Sequence, residues 1–311
     1  MEYINTLHEG TNVSEIFFCK SKTVAQTKAG KTYYNVTLQD KTGTLDAKIW
    51  ELSNAIEHFE AMDYIKVDGA VVSFNNNLQL NIRRLRRAEE GTYDVSDYMP
   101  VSKNSTDQMY DELLSLVNSV KEEHLNALLK SFFVDDAKFA EGFKKHSAAK
   151  SIHHSFIGGL LQHSLAVAKI CDFLASQYAV LNRDLLITAA LCHDIGKMYE
   201  LSDFPHNDYT DEGQLLGHIV MGAMMVRDKA NAIEGFPADL QNELIHCILA
   251  HHGELEFGSP KKPSIIEAVA LSYADNLDAK METFQELLEG SSQKEDWLGF
   301  SKLFDANVRR T

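Results

Sequence analysis

The sequence predicts a protein of mixed class in two parts, a small five-stranded β-barrel over residues 1–90 and an all-α bundle over residues 111–311. Three observations carry this reading. Between residues 34 and 82 apolar and polar residues alternate with the period of a half-buried strand. From Ser105 the apolar spacing becomes helical and stays so to the C-terminus. Within that second part, His163, His193, Asp194, His218, His251, His252 and Asp275 follow one another in order, each group in its own helical segment.

The barrel strands are read from Tyr34, Val36 and Leu38, then Leu45, Ala47 and Ile49, with a turn at Asp40-Lys41-Thr42-Gly43 between them. Glu51 to Phe59 reads as a helical insert. Tyr64 to Val67 and Ala70 to Phe74 follow, then an Asn75-Asn76-Asn77 turn and the run Leu78, Leu80, Ile82. The pattern Tyr-x-Val-x-Leu-x-Asp-x-Thr-Gly-x-Leu-x-Ala-Lys-x-Trp at residues 34–50, with strands around one insert, resembles the OB-fold modules of tRNA-anticodon type. That resemblance implies a nucleic-acid face on the residues that alternate with the core set: Tyr33 and Thr37 on the second strand, Asp46, Lys48 and Trp50 on the third. Aromatic rings such as Tyr33 and Trp50 can stack bases, while Lys48, Arg83 and Arg84 can meet phosphates. Arg86 and Arg87 extend the basic cluster. Ala29-Gly30-Lys31-Thr32 has the look of a phosphate loop, but position 25 is Ala25 where the first glycine is needed, and the segment runs into a strand. It reads as a hairpin loop.

Residues 91–110 are an acidic connector with few apolar positions. Ser105-x-x-Gln108 reads as a capping box opening the first helix, and Ser264-x-x-Glu267 as another before the helix of Asp275. Gly253 reads as a helix stop after the double histidine.

Composition narrows the function classes. The net charge is −15, yet residues 10–88 hold 11 basic against 8 acidic residues, a net of +3 that leaves −18 for the rest. The acidic excess argues against bulk nucleic-acid affinity through the second part, and any grip on a strand is expected from the first, aided by metal in the active site. No apolar run approaches the ~20 residues that span a bilayer, and Met1 to Gly10 lacks an apolar signal core. Cys19, Cys171, Cys192 and Cys247 are scattered without metal or disulfide spacing. A cytoplasmic location is expected.

Helical phase places the candidate ligands on core-facing stripes. His163 aligns with Val167, Ile170 and Leu174; His193 with Leu186, Ala189 and Ala190; His218 with Leu215, Met221, Gly222 and Met225. His251 aligns with Leu240, Leu244 and Cys247, and Asp275 with Ala268 and Leu271. A charge directed into a core costs several kcal/mol unless it is paired or meets a metal, roughly the penalty for burying an unpartnered polar group. Imidazole and carboxylate together suit manganese, iron, cobalt, nickel or zinc, and the residue types do not choose among them.

His193-Asp194-Ile195-Gly196-Lys197 resembles the signature of the HD superfamily of metal-dependent phosphohydrolases. The full order of ligands is similar to the subclass that holds two metals. By that resemblance Asp194 bridges, His163, His193 and Asp275 complete one site, and His218, His251 and His252 the other. His251 and His252 would point about 100° apart on a helix, so one of them is expected behind the other. HD enzymes that degrade cyclic dinucleotides carry an acidic ligand one turn before the first histidine; here that position is Gly159. Lys197 is the cation expected at the non-bridging phosphate oxygens, and Asp278 is either a group that orients a ligand or part of a solvated face. His153 and His154, in the loop Ser151 to Gly159, are expected to touch phosphate.

An OB module followed by an HD module, with Gly-Gly-Leu-Leu-x-His-Ser at residues 158–164, resembles the YhaM family of bacterial 3′-5′ exoribonucleases. The resemblance implies a divalent-metal enzyme, with two ions and manganese first among the candidates, that degrades single-stranded RNA to nucleoside monophosphates by a metal-activated hydroxide. Asp194 and Lys197 would be its catalytic residues. Single-stranded DNA is a second expected substrate, a membrane is not expected, and a homo-oligomer is an open option. Two other readings stand beside it: an HD-type phosphohydrolase of small nucleotides with a regulatory OB module, and a non-catalytic nucleic-acid-binding protein.

Overall fold

The computed structural model describes residues 2–27, 30–74, 77–99, 102, 104–150, 156–204, 206–290, 296–301 and 304–311. The chain divides into two units, Met1–Val101 with Phe204–His206, and Ser102–Asp203 with Asn207–Thr311.

Alternation builds the first unit. Strands β1 (Asn12–Gln26), β2 (Thr32–Asp40), β3 (Gly43–Ile49), β4 (Tyr64–Phe74) and β5 (Asn77–Arg87) close into a barrel in the order β1-β2-β3-β5-β4. The parallel pairing of β3 with β5 sets Lys48 beside Asn81 and Asp46 beside Gln79. The inward residues Phe17, Leu38, Ile49, Ile65 and Leu80 are fully buried, because every second side chain of a strand falls on the same face. The expected helix at Glu51–Phe59 is absent. That segment is irregular, held by an isolated bridge between Ile56 and Leu85, with Phe59 buried as a plug. One bulky apolar side chain and one bridge anchor it, and its polar residues add no apolar face that a helix needs. The Asn75-Asn76 part of the expected turn lies outside the described residues.

The second unit is helical: α1 (Thr106–Ser119), α2 (Glu123–Phe133), α3 (Ala137–Lys145), α4 (Gly159–Gln177), α5 (Arg183–Cys192), α6 (Lys197–Glu200), α7 (Asp211–Asn231), α8 (Ala238–Leu249) and α9 (Ile266–Gly290). Helix α5 is buried on all sides from Leu185 to Cys192, which makes it the centre of the bundle. Ser105 caps α1 by accepting from the Gln108 N–H at 3.4 Å. The second expected box does not form: the Ser264 hydroxyl donates to the Lys262 carbonyl, while Glu267 accepts from the Asn182 N–H at 2.7 Å. Glu267 is spent on tying α9 to the start of α5.

Helical structure also ends before the C-terminus. Strands β6 (Trp297–Ser301) and β7 (Ala306–Arg309) form an antiparallel hairpin. Trp297, Phe300 and Val308 supply the ring and β-branched character that favours strands, and Gly299 at φ 90° breaks a helical run. Among the described residues, no helix is long and apolar enough to cross a membrane.

Candidate metal centre and nucleic-acid face

Two of the ligand pairs sit just past helix ends, contrary to the expectation that each lies within a helix. The last carbonyls of an α-helix lack an intrahelical donor. At the end of α5 the His193 Nδ1–H donates to the Ala190 carbonyl at 2.7 Å, and past α8 the His251 Nδ1–H donates to the Ile248 carbonyl at the same distance. Both bonds reach back three residues. His252 then gives its Nδ1–H to the Phe257 carbonyl at 2.9 Å. The pair His251-His252 therefore does not diverge as on a helix; its ring centroids are 4.2 Å apart. Helix α8 stops at Leu249, four residues short of Gly253.

The other two imidazoles are held by carboxylates. Nδ1 of His163, in the second turn of α4, lies 2.7 Å from Oδ2 of Asp278. Nδ1 of His218 lies 3.0 Å from Oε1 of Glu200. Gly217 makes that contact: its φ of 73° and ψ of 153° kink α7 and free the His218 backbone N–H, which also donates to Glu200 Oε1 at 2.9 Å. A side chain at Gly217 would be strained in that conformation. The kink also breaks the expected stripe, so that Leu215 is exposed while His218 turns inward. Gly196 serves differently. A Cβ there would stand 2.0 Å from the His218 carbonyl oxygen, so glycine lets the His193–Lys197 turn lie against α7.

All five Nδ1 atoms thus face acceptors, which places a proton on Nδ1 and makes Nε2 the nitrogen that could coordinate a metal. The Nε2 atoms and a carboxylate gather into two groups, His163 with His193 and Asp275, and His218 with His251 and His252, each compact enough to hold one metal ion. Asp194 stands between them. Its Oδ2 is 3.4 Å from Nε2 of both His163 and His193; its Oδ1 is 3.5 Å from Nε2 of His218 and 3.7 Å from that of His251.

Burial raises the stakes. Asp194, His193 and His251 are buried to within about a percent, and Asp194 Oδ1, His218 Nε2 and His251 Nε2 have no hydrogen-bond partner among the described residues. Two imidazole nitrogens, His163 Nε2 and His193 Nε2, are 3.2 Å apart. Orphaned buried acceptors of this kind are costly unless a cation meets them, and five imidazoles with two carboxylates are the donors that divalent transition ions take. The residues fit a divalent metal.

Charge is shared unevenly among them. Burial alone would lift the Asp194 carboxyl, but Lys197 and the surrounding imidazoles hold it well below the usual carboxylate range. Asp275 is likewise held low: burial alone would lift it, but the His163 hydrogen bond and the charges of His163, His193 and His251 together outweigh that. Burial would lower His163, yet Asp194, Asp275 and Asp278 push it well above the ordinary histidine value. His251 and His252 go the other way, lowered chiefly by burial.

Lys197 is no surface lysine. Its ammonium is 2.6 Å from Asp194 Oδ2 and its side chain is largely covered. A cleft of about 460 Å³ opens onto His163, Lys197, His252 and Asp275, and Asn276 and Lys280 of α9 also line it. Sequence reading missed Glu200; its signal was a carboxylate three positions after Lys197 on the same short helix. Lys280 was also missed, although it follows Asp275 and Asp278 on α9. His153 and His154 lie outside the described residues.

On the barrel, Tyr33, Lys48 and Trp50 form one patch. Tyr33 stacks on Trp50 with centroids 4.6 Å apart and planes at 27°. The Lys48 ammonium donates to the Asn35 side chain and sits 5.7 Å from the Tyr33 ring centroid. The Trp50 Nε1–H donates to Asn81 Oδ1 at 3.0 Å, which joins β3 to β5. Asn35 and Asn81 extend the set; Asn35 was legible as the residue alternating with Tyr33 and Thr37. Arg83 and Arg84 are exposed on β5, two and three residues beyond Asn81, where the register with β4 shifts. Arg87 is paired with Asp63 at 3.0 Å.

Comparison with known proteins agrees with both units. Residues 160–280 match the HD domain family, and residues 20–88 match the OB-fold nucleic acid binding domain family. The chain is 34% identical to the 3′-5′ exoribonuclease YhaM of Bacillus velezensis over 288 residues, 91% of this chain and 90% of that protein. Identity and coverage are the same against 3′-5′ exoribonuclease YhaM of Bacillus subtilis. Among solved structures, the second OB-fold domain of replication protein A from Methanococcus maripaludis aligns at 16% identity and a TM-score of 0.24, over 30% of this chain and 98% of that one.

Proposed function

This chain belongs to the YhaM family of 3′-5′ exoribonucleases, and from that premise we propose that it is a metal-dependent exonuclease releasing nucleoside monophosphates from the 3′ end of single-stranded RNA. The observation that carries the proposal is Asp194, whose two carboxylate oxygens face two separate ligand groups. A carboxylate so placed suits a pair of divalent ions, manganese first among them, one held by His163, His193 and Asp275 and one by His218, His251 and His252. Such ions would supply Lewis-acid charge and lower the pKa of water at the phosphodiester.

The protein's own groups do the rest. Lys197, ion-paired with Asp194 and lining the cleft, becomes available to a non-bridging phosphate oxygen once other positive charge satisfies Asp194. Lys280 on the cleft wall adds a second cation for the strand. Carboxylates of Asp278 and Glu200 keep His163 and His218 turned inward. On the barrel, the stacked Tyr33–Trp50 pair with Lys48 holds bases and backbone of the single strand, aided by Arg83 and Arg84. Because ring stacking is indifferent to the sugar, single-stranded DNA is the second substrate. Residues 1–90 would be the strand-holding domain, 91–110 a connector and 111–311 the catalytic domain. The four cysteines are buried free thiols, which supports a cytoplasmic location. Matching of both units to the same relatives leaves neither a small-nucleotide phosphohydrolase nor a non-catalytic binder favoured.

A gel time course with manganese on a 5′-labelled single-stranded RNA, beside a 3′-blocked copy, tests the reading. A descending ladder that the block abolishes is expected. No cleavage of either strand by the metal-loaded protein would overturn it.

A further inference from the structure

We infer that a groove beside the metal centre, walled by Phe257 and Tyr273, receives the nucleobase of the 3′-terminal nucleotide; the inference rests on the exonuclease reading above.

The groove has a volume of about 370 Å³ and runs between the turn after α8 and the outer face of α9. It shares His252, Phe257, Ser272 and Asn276 with the cleft onto which His163, Lys197 and Asp275 open. A molecule whose phosphate lies at the ligand groups can therefore extend into the groove without leaving the protein surface. Two large rings stand there largely in solvent, Phe257 at 61% and Tyr273 at 72% exposure. Neither stacks on another aromatic ring among the described residues. Exposed rings beside the candidate metal centre are what a base needs for stacking, and stacking tolerates every base, as degradation of any sequence requires.

The backbone supports this placement. The Phe257 carbonyl accepts from His252 Nδ1, so the ring and the ligand imidazole are set by one short segment. Tyr273 precedes Asp275 by two residues on α9, which anchors its ring to the helix that carries a ligand. Asn276, one residue past Asp275, brings an amide that can donate and accept at a base edge. Lys262, paired with Glu254 at 2.5 Å, also lines the groove. The size suits one base. Longer strand leads away past Lys280, which lines the cleft and not the groove.

The test uses two single-stranded RNAs of the same sequence, one intact and one with an abasic ribose as its 3′-terminal residue. Initial rates with manganese are compared for the full-length protein, Tyr273→Ala, and Phe257→Ala combined with Tyr273→Ala. For the unaltered protein the abasic end should raise KM for removal of the terminal residue roughly tenfold, the scale of losing one stacked base. In the double variant the intact RNA should show that same higher KM, and the ratio between the two RNAs should fall to about one. Tyr273→Ala alone, at an exposed helix position, should give an intermediate ratio. Equal KM values for both RNAs with the unaltered protein, or an undiminished ratio in the double variant, would overturn the subsite while cleavage itself upholds the nuclease. Failure to cleave either RNA would overturn the nuclease reading and the subsite with it.

Discussion

Asp278 Oδ2 lies 2.7 Å from Nδ1 of His163, across 115 positions of sequence, and so turns the other imidazole nitrogen toward Asp194 and Asp275. Groups behind a ligand that hold its tautomer and ring orientation typically change metal affinity about 10–100-fold when removed. Asp278→Ala should weaken metal binding by about that range, read by competition with a chromogenic chelator. An unaltered affinity would make Asp278 a bystander.

Asp194→Asn should reduce turnover by at least about a thousandfold, since a neutral amide cannot offer charge to both ligand groups. It also leaves Lys197 without its partner in a largely buried place, a loss of the kind that costs about 3–5 kcal/mol. Adding Lys197→Met should therefore recover melting temperature and no activity. Recovery of activity in the double variant would refute the role given to Asp194.

Gly217→Ala should destabilise the protein by about 1–3 kcal/mol, the usual cost of a side chain in a backbone region it rarely adopts. If α7 straightens instead, the His218 N–H returns to the helix and Glu200 loses both bonds to it. Metal stoichiometry should then drop toward one ion per chain. Normal stability and full stoichiometry together would contradict the kink's function.

Proton release should separate the two ligand groups. His163 sits well above its ordinary value, so metal entry beside it must displace a proton, and affinity there falls as pH drops. His251 and His252 are held below theirs by burial and need release none near neutrality. Without metal, the stability contributed by His163 is present below the unfolded value of about 6.5 and is lost as pH rises through its raised folded value. Calorimetric titration in two buffers of different ionisation enthalpy near pH 7 should find proton release for one of two binding events. Equal release in both would reject the assignment.

Trp50→Ala with Tyr33→Ala should raise KM for oligonucleotides roughly tenfold, with kcat little changed, because the two rings, stacked on each other, together offer one base a platform. Steady-state kinetics on strands of increasing length gives the answer. An unchanged KM would show that this barrel face does not carry substrate.

Legibility followed the range of the interaction. Tyr34, Val36 and Leu38 announced a strand because alternation is a property of neighbours, and the barrel formed as that pattern required. Glu51–Phe59 was misread because a short polar stretch with one buried ring has no period of its own. The C-terminal hairpin was missed for the same reason, being brief and following a 25-residue helix. Glu200 was overlooked because nothing local marks a carboxylate whose partner is brought by a kink at Gly217.

Donor types, their order and the separation of a slightly basic barrel from an acidic helical part are written in residue identity and short-range period. Tertiary structure decided the rest. Which nitrogen of each histidine is held depends on carbonyls left over at the ends of α5 and α8 and on carboxylates arriving from α6 and α9. The sorting of six side chains into two groups about Asp194 depends on how those helices pack. Neither is a property of any window of the chain, because the partners meet only when the core has closed.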